Sequence, residues 1–417
     1  MAASLSGKIL PKYQVYTNTL RRGLSQVAGL NDVVIVSAVR TPIGSFRSSL
    51  ASVPATRLGT IAIQGAVAKA GISGEEVKEV YMGNVCQAMN GQAPARQAAL
   101  GAGLKLDTPC TTVNKVCASG MKSIMLAAQS LMCGHQDVMV AGGMESMSHV
   151  PYYMARGDSP YGGVKLIDGI VHDGLWDVYN NIHMGTCTEK TVRDLNISRE
   201  EQDEYAINSY KRSQAAAAAG VFSREIVSVT IPQRKGDDKI VTDDEEYKKV
   251  NFEKIKTVKA VFQKDGTITA ANASTLNDGA AALVLMTAQA AERLKVQPLA
   301  RIIGFADAAC APIDFPIAPA FAVPKVLEQT GVKQEDIAMF EVNEAFSAVA
   351  LANQKMLDID PTKMNIHGGA VSIGHPIGMS GARITGHMVH NLKPGEKGLA
   401  GICNGGGGAS AIIIERL

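Results

Sequence analysis

Apolar and polar positions along this chain of 417 residues follow two patterns that alternate. Short β-branched runs such as Asp32-Val-Val-Ile-Val-Ser and Val138-Met-Val-Ala-Gly-Gly predict buried strands. Residues 56–70 and 118–132 have the apolar spacing of helices, and between them residues 77–84 run into a further strand. An alternation of strands and helices predicts an α/β fold.

The last third of the chain repeats this plan. Ala300-Arg-Ile-Ile-Gly corresponds to the first strand, and residues 337–343 correspond to the strand that begins near Val80. Residues 399–408 correspond in the same way to the strand that begins at Val138. Because corresponding segments lie about 260 residues apart, the sequence predicts two similar α/β halves.

Residues 151–270 interrupt the alternation with a Gly- and Asp-rich passage, a predicted helix around residues 199–219 and a charged stretch. In that stretch, residues 233–259, 15 of 27 residues are charged. A solvated surface is the usual explanation for such a run. The alternative is an insertion over the core whose lysines lie near an anionic ligand. We expect residues 275–294 to return the chain to the first half.

The composition, with 46% hydrophobic and 19% charged residues, is that of a globular protein with a substantial core. A net charge of +2 argues against nucleic acid and an acidic membrane surface as partners. No run approaches the ~18–20 apolar residues of a membrane span, so we expect a soluble protein. The seven cysteines lack CxxC spacing, which argues against a disulfide framework or a zinc site and favours reactive thiols in a reducing compartment.

Residues 1–31 are basic and rich in hydroxyl side chains, and no acidic residue precedes Asp32. The basic residues are Lys8, Lys12, Arg21 and Arg22. Such a leader is typical of a mitochondrial transit peptide, and the alternative is an N-terminus without a targeting role. We therefore expect the mitochondrial matrix as the location, with the cytosol as the alternative.

Cys117, in the segment Asn114-Lys-Val-Cys117-Ala-Ser-Gly120, directly precedes a predicted helix. A thiol at a helix N-terminus lies at the positive end of the helix dipole. This position favours the thiolate, and it makes Cys117 a candidate nucleophile. The alternative is a buried structural cysteine, which is the commonest role of a free cysteine.

His375 and Cys403 are the other candidates for chemistry. Pro376 keeps His375 extended and outside any helix, and nearby glycines leave room for a ligand, so His375 is a candidate general base. Cys403 ends an apolar strand and precedes four glycines, whose backbone N–H groups can bind a developing oxyanion. A core cysteine is the alternative, yet four glycines beside it would serve no packing purpose.

Together with Asn343-Glu-Ala-Phe346, these segments resemble the motifs of the thiolases, and the resemblance runs from about Val33 to Leu417. It implies the thiolase fold, in which two similar βαβ-type halves form a layered α/β/α/β/α core with an inserted loop domain. The implied domains are an N-terminal domain of residues 32–150 and 271–294, a loop domain of residues 151–270 for CoA binding and oligomer contacts, and a C-terminal domain of residues 295–417.

The resemblance also implies a role for each candidate residue. Cys117 is the nucleophile that carries an acyl thioester, and Cys403 is the acid/base that moves the proton of the α-carbon. The N–H groups of Gly405 and Cys117 form one oxyanion hole. His375, the base, forms a second with a water that Asn343 holds. The implied reaction is the reversible ping-pong condensation of two acetyl-CoA molecules to acetoacetyl-CoA and CoA.

Two binding sites are implied in the same way. The implied CoA contacts are Leu175, His183, Met184, Tyr210, Lys249, Lys254, Phe262, Ser274, Phe315 and Phe346. A potassium ion is implied at the Tyr210 side chain and the backbone carbonyls of Ala270, Ala271, Ala273 and Val371. The alternative is that no ion binds, and no redox cofactor is implied.

Phe315-Pro316 matches the family members that also accept a 2-methyl branch, which implies a role in isoleucine and ketone-body metabolism. The family usually forms dimers or tetramers, and we expect a homotetramer. Two alternatives for the function are open: a broad-range 3-ketoacyl-CoA thiolase of β-oxidation, and a thiolase-like acyl-CoA or lipid-binding protein without turnover.

Overall fold

The structure is a computed structural model, and it describes residues 29–158 and 160–417. The expected transit peptide, residues 1–31, falls almost wholly outside the described residues, so this expectation stays a prediction. Within the described ranges, the helices and strands begin and end within a few residues of the predicted positions.

The first half alternates strands with helices as predicted. Its strands are β1 (Val33–Arg40), β2 (Gly44–Ser45), β3 (Glu79–Gly83), β4 (Cys110–Val113) and β5 (Val138–Ser146), and its helices are α1 (Ala55–Ala70), α2 (Pro94–Gly101) and α3 (Ser119–Met132). Ten of the fourteen residues of α3 are buried. A helix that is buried on nearly all sides belongs inside the molecule.

The inserted region consists of short hairpins and three helices. The hairpins pair β6 (Tyr152–Tyr153) with β7 (Ile167–Asp168), β8 (Trp176–Asp177) with β9 (Ile182–His183), and β10 (Val229–Ile231) with β11 (Lys239–Val241). The helices are α4 (Met184–Asp194), α5 (Arg199–Ala218) and α6 (Phe252–Ile255). Ser198 and Glu201 form a capping box that fixes the start of α5.

The rest of the chain returns to the first half and then builds the second. Its strands are β12 (Asn277–Thr287), β13 (Ala300–Ala309), β14 (Ile337–Val342), β15 (Lys397–Asn404) and β16 (Gly408–Arg416). Its helices are α7 (Ala288–Leu294), α8 (Pro319–Thr330), α9 (Ser347–Leu357), α10 (Ala370–Ile373) and α11 (Ser380–Asn391), with a 3₁₀ turn at Pro312–Ile317.

The long strands form one sheet in the order β14-β15-β16-β13-β1-β12-β5-β3-β4, and β2 pairs with β12. In the first half β1, β12 and β5 are antiparallel neighbours, and β5 runs parallel to β3. In the second half β13, β16 and β15 are antiparallel neighbours, and β15 runs parallel to β14. The same order and orientation confirm the predicted repeat. Strand β12 lies between β1 and β5, so residues 277–287 belong to the sheet of the first half.

Helices cover both faces of this sheet, and α3 and α11 lie between the two halves. Each of these two helices packs on the other and on strands of both halves. Helices α1 and α2 pack on the outer face of the first half, and α8 packs on the outer face of the second. Ten of the twelve residues of α11 are buried, as expected for a central layer. The layered α/β/α/β/α core is therefore confirmed.

The first turns of α3 and α11 are in direct backbone contact. A Cβ atom on Gly120 would lie 2.8 Å from the backbone nitrogen of Ala382 and 2.9 Å from the Gly378 oxygen. A Cβ atom on Gly381 would lie 2.5 Å from the backbone nitrogen of Met121. Only glycine at both positions allows this approach. Cys117 lies just before α3 and His375 just before α11, so this contact fixes their separation.

Replacing Gly120 by alanine is expected to push α3 and α11 apart and to move Cys117 relative to His375. Because a displacement of about 1 Å can cost on the order of 10²-fold in rate, Gly120→Ala should lower kcat/KM of the reaction that the resemblance implies by about that factor. Gly386→Ala is the matched control on α11, since its Cβ would meet only the Ala38 Cβ at 3.5 Å. Near-normal activity of Gly120→Ala would contradict the claim.

Candidate active site

A locked turn between β4 and α3 presents Cys117. Val116, the preceding residue, has a left-handed backbone with φ of 46°. The Asn114 Oδ1 accepts the Val116 N–H at 3.0 Å, and the Ser119 hydroxyl accepts the Lys115 N–H at 2.8 Å. The same hydroxyl donates to the Val116 carbonyl at 2.6 Å. These local bonds compensate for the strain of a left-handed β-branched residue.

The second half of the molecule anchors the same turn. Lys115 forms an ion pair with Asp307 of β13 and donates to the Ser410 hydroxyl of β16 at 2.8 Å. Lys122 of α3 also pairs with Asp307, at 2.6 Å. The nucleophile turn is thus built by one half and fastened to the other.

Backbone N–H groups surround the Cys117 sulfur. The N–H of Gly405, in the glycine loop between β15 and β16, and the N–H of Cys117 itself both lower the pKa of the Cys117 thiol. Two N–H groups that stabilise a thiolate can equally stabilise an oxyanion that develops beside it. The structure therefore brings Cys117 and Gly405 together as the sequence predicts.

Both thiols are protonated in the free protein. Burial raises the pKa of Cys117 to about 12, against the opposing effect of the Gly405 N–H. Burial, and then the nearby Cys117, raise the pKa of Cys403 well above its usual range. The expectation that the Cys117 thiolate is favoured is therefore wrong for the free protein, because desolvation outweighs the two backbone N–H groups that lower the pKa. A base must remove the proton.

His375 has the environment of such a base. The backbone N–H of His375 donates to the Asn277 Oδ1 at 2.9 Å, and the preceding residue, Gly374, has a φ of 102°. Its Nδ1 lies 2.6 Å from the Ser380 hydroxyl, which in turn donates to the Pro376 carbonyl at 3.0 Å. When this hydroxyl donates to the carbonyl it accepts from Nδ1, and in that tautomer Nε2 is the free acceptor.

The free nitrogen of His375 faces the site in its basic form. Its Nε2 is buried and has no hydrogen-bond partner among residues 29–158 and 160–417. Burial lowers the pKa of His375 to about 4, so the imidazole is neutral near pH 7. A neutral imidazole and a protonated thiol that line the same cleft are the groups that base-assisted nucleophilic attack requires.

Asn343 follows β14 and is 3% exposed. Its N–H donates to the Gly401 carbonyl at 3.0 Å, while its Nδ2 has no partner within the described part of the chain. A buried amide donor of this kind can hold a water. The next residue, Glu344, accepts bonds from the Ser209 hydroxyl at 2.8 Å and from the Val371 N–H at 3.1 Å, which fixes the tetrapeptide in place.

Glu145, at the end of β5, is a buried residue that the sequence analysis missed. Its carboxylate accepts the N–H groups of Val85 at 3.0 Å, Cys86 at 3.2 Å and Gly378 at 2.9 Å, and the Asn84 Nδ2 at 2.8 Å. Burial raises its pKa to about 7. It joins the loop after β3 to the His375 loop. A carboxylate at the end of an otherwise apolar strand is the signal that could have found it.

One cleft of about 310 Å³ collects most of the predicted substrate contacts. Cys117 and His375 line it together with Leu175, His183, Met184, Phe262, Ser274, Phe315 and Phe346. The His183 ring stacks on Phe262 at 4.6 Å between ring centroids, and Phe262 meets Phe346 edge-on at 6.1 Å. This apolar, aromatic wall suits an acyl chain and its uncharged linker.

The remaining predicted contacts lie in a second cavity of about 280 Å³. Its lining includes Tyr210, Lys249, Lys254, Ala270 and Ala271. Two further residues of the implied potassium site lie elsewhere: Ala273 lines the cleft, and Val371 packs against Tyr210. Thr275 lines both the cleft and the second cavity, so the two spaces adjoin.

The chain matches two family models along almost its whole length. Residues 33–289 match the thiolase N-terminal domain, and residues 296–416 match the thiolase C-terminal domain. The protein is an acyltransferase by fold and by site, and it belongs to the thiolase family.

Within the thiolase family, the chain is similar to mitochondrial acetyl-CoA acetyltransferases. The mitochondrial acetyl-CoA acetyltransferase of Danio rerio is 71% identical over 398 residues, which cover 95% of this chain and 95% of the relative. The mitochondrial acetyl-CoA acetyltransferase of Homo sapiens is 70% identical over 389 residues, which cover 93% of this chain and 91% of the relative.

Two crystal structures share the fold closely. Acat5 thiolase from Ascaris suum in complex with coenzyme A has a TM-score of 0.90 and 46% identity, and the match covers 93% of this chain and 100% of that chain. Bacillus anthracis acetyl-CoA acetyltransferase has a TM-score of 0.90 and 40% identity with the same coverage. As for membranes, no helix in the described ranges is long and apolar enough to cross one.

The raised thiol pKa predicts how Cys117 reacts in the free protein. Alkylation needs the thiolate, so the rate at Cys117 should rise about tenfold per pH unit from pH 7 to pH 9 without levelling off. The measurement is peptide mass spectrometry after timed iodoacetamide treatment, with the exposed Cys133 as internal control. A rate at Cys117 that reaches a plateau below pH 8 would show that the thiol is not buried as described.

Proposed function

We propose that this protein is an acetyl-CoA C-acetyltransferase that condenses two acetyl-CoA molecules to acetoacetyl-CoA and CoA and catalyses the reverse thiolysis. The carrying observation is that the buried thiol of Cys117, whose pKa the Gly405 N–H lowers, lines one cleft together with the neutral His375. The names of the relatives and the coenzyme A complex of the Ascaris suum enzyme support this activity and a mitochondrial location.

In the first step, His375 Nε2 takes the proton of Cys117, and the sulfur attacks the carbonyl carbon of acetyl-CoA. The N–H groups of Gly405 and Cys117 bind the oxyanion that forms. The C–S bond to CoA then breaks, and Cys403 gives its proton to the leaving CoA thiolate. The products are acetyl-Cys117, CoA, an imidazolium at His375 and a thiolate at Cys403.

In the second step, another acetyl-CoA enters and the Cys403 thiolate removes its α-proton. The His375 Nε2–H and a water on Asn343 stabilise the enolate oxygen. The enolate carbon attacks acetyl-Cys117, the thioester bond breaks, and His375 returns its proton to Cys117. All three groups regain their resting protonation states. The raised pKa of Cys403 suits this role, because its thiolate is a strong base once formed.

The two cavities suit the two ends of CoA. The apolar cleft takes the acyl group and the pantetheine arm, and the second cavity takes phosphates near Lys249 and Lys254. Phe315 is 2% exposed, and the Asn353 Nδ2 fixes its turn by donating to the Pro316 carbonyl at 2.8 Å. A fixed aromatic side chain limits the length of the acyl group, and we propose acetoacetyl and 2-methylacetoacetyl groups as substrates, hence isoleucine and ketone-body metabolism.

The potassium site fits the residues present. The carbonyl oxygens of Ala270, Ala271, Ala273 and Val371 accept no hydrogen bond from any residue that the structure describes. Free carbonyls are the ligands that a hard monovalent cation prefers. We propose that they hold potassium together with Tyr210, where the ion would neutralise the carbonyl dipoles and join the segment 270–273 to Val371.

A homotetramer remains part of the proposal. Several large apolar side chains of the inserted region are exposed, as at an association surface. They include Tyr152, Met154, Tyr161, Val164, Leu166, Val178 and Tyr179. Light scattering on the purified protein measures the assembly directly.

Replacing Cys403 separates the two half-reactions. Cys403→Ala should still allow acetylation of Cys117, although more slowly, and should lower condensation by a further ~10²–10⁴-fold, since positioned proton transfer contributes about that much. The measurement compares single-turnover acetylation with steady-state acetoacetyl-CoA formation. Cys310→Ala is the control, because Cys310 is a half-buried thiol outside the proposed chemistry. Equal losses in both half-reactions would overturn the assignment of the α-proton to Cys403.

A substrate panel tests the pocket and the ion. The wild-type protein should cleave acetoacetyl-CoA and 2-methylacetoacetyl-CoA, should leave 3-ketohexadecanoyl-CoA almost uncleaved, and should be faster with potassium than with sodium. One methylene discriminates by only ~1–3 kcal/mol, so rejection of the long chain requires the block at Phe315.

Each result in that panel has a defined consequence. Efficient cleavage of the long substrate would indicate the broad-range 3-ketoacyl-CoA thiolase, and no turnover of any substrate would indicate a binding protein. Equal rates in potassium and sodium would remove the ion site, and failure on the 2-methyl compound would remove the isoleucine role.

A further inference from the structure

The side chain of Asn277 holds the backbone of the candidate base. Asn277 is the first residue of β12 and is fully buried. Its Oδ1 accepts the His375 N–H at 2.9 Å and the Thr275 hydroxyl at 2.8 Å, and its Nδ2 donates to the Gly44 carbonyl at 3.1 Å. A Cβ atom on Gly374 would lie 2.4 Å from this amide. The amide therefore packs directly against the backbone that leads into His375.

The same side chain is connected to the second cavity from two sides. Thr275, which donates to the Asn277 Oδ1, lines both the cleft and the second cavity. Glu246, which accepts from the Asn277 Nδ2 at 3.4 Å, lines the second cavity. Lys249, which also lines the second cavity, contacts the Ser45 hydroxyl. Ser45 follows Gly44, whose carbonyl accepts the other bond from the Asn277 Nδ2. A ligand in the second cavity thus touches residues that bond to Asn277.

We propose that Asn277 is a positioning residue that couples occupancy of the second cavity to the orientation of His375. The inference rests on the proposed function, in which that cavity takes the phosphorylated end of CoA. Binding energy from a remote part of a substrate can orient the reacting centre, and a truncated substrate then loses kcat as well as affinity. Here the phosphorylated end of CoA contacts Thr275 and Glu246. These two residues hold the Asn277 side-chain amide in the position in which it accepts the backbone N–H of His375.

The test compares two substrates that have the same reacting end. Acetoacetyl-CoA fills both cavities, and acetoacetyl-pantetheine lacks the nucleotide and leaves the second cavity to solvent. The quantity measured is the ratio of the thiolysis kcat values, with CoA or pantetheine as the matching acceptor. Coupling predicts a wild-type ratio well above one. A merely structural asparagine would lower both kcat values equally and leave the ratio unchanged.

Two substitutions at Asn277 distinguish a coupling role from a merely structural role. Asn277→Leu removes the acceptor, and the ratio should fall by about tenfold or more toward one. Asn277→Asp keeps the acceptor for the His375 N–H and the Thr275 hydroxyl but loses the donor to Glu246, so its ratio should fall less than that of Asn277→Leu. Its new charge favours the imidazolium, so the acid limb of its kcat/KM profile should move to higher pH. Thermal unfolding of each variant shows whether the fold is intact.

Thr275→Val provides a second route if Asn277→Leu does not fold. This variant keeps the bond between Asn277 and His375 and removes the hydroxyl by which Thr275, a residue that lines both cavities, donates to Asn277, so its ratio should also fall. An unchanged ratio in Thr275→Val, or equal losses on both substrates in a folded Asn277→Leu, overturns the coupling. A wild-type protein that fails to cleave acetoacetyl-CoA overturns the proposed function instead, so the two failures are distinct.

Discussion

The backbone contact between the first turns of α3 and α11 is the constraint on which the site depends. Gly120 and Gly381, each the second residue of its helix, allow an approach that any Cβ atom would prevent. The chain enters one helix through Cys117 and the other through the His375 loop. The two halves of the repeat therefore meet where the nucleophile and the base have to meet, and their packing sets the geometry of the chemistry.

Burial of the site sets the protonation states of its thiols and its histidine. Desolvation raises the pKa of both thiols and lowers the pKa of His375, so the resting site holds two protonated sulfurs and one neutral base. In the proposed reaction, one proton then moves from Cys117 to His375 and another from Cys403 to the leaving thiolate without an external acid or base. The Gly405 N–H offsets part of the cost of a buried anion at Cys117. Low dielectric and preorganised donors act together here.

The sequence predicts most of the fold because its apolar periodicity is strong. The strands at Val33, Val138 and Ala300 are mostly buried, and the spacing of their apolar runs is enough to reveal the repeat. Cys117 and His375 can also be predicted as candidates from the sequence, since Cys117 directly precedes a predicted helix and His375 lies between a glycine and a proline. The structure brings both to one cleft with seven of the ten predicted CoA contacts.

What the sequence does not reveal is the set of buried polar groups that hold these turns. The hydrogen-bond partners of Glu145, Glu344 and Asn277 lie tens to hundreds of residues away in the sequence. An apolar strand that ends in a carboxylate can point to Glu145, but no local pattern identifies these partners. The protonation state of Cys117 cannot be predicted from the sequence for the same reason. A helix terminus is visible in the sequence, but the desolvation that outweighs it depends on the whole fold.

The central claim is that Cys117 carries the acetyl group. The most direct measurement mixes the protein with acetyl-CoA labelled in the acetyl group, quenches in acid within one turnover, and locates the label by peptide mass spectrometry. The expected result is a thioester on the Cys117 peptide, formed with release of one CoA per site and discharged when CoA is added, and no label in folded Cys117→Ala. Label on Cys403 instead, or condensation without any labelled peptide, would contradict it.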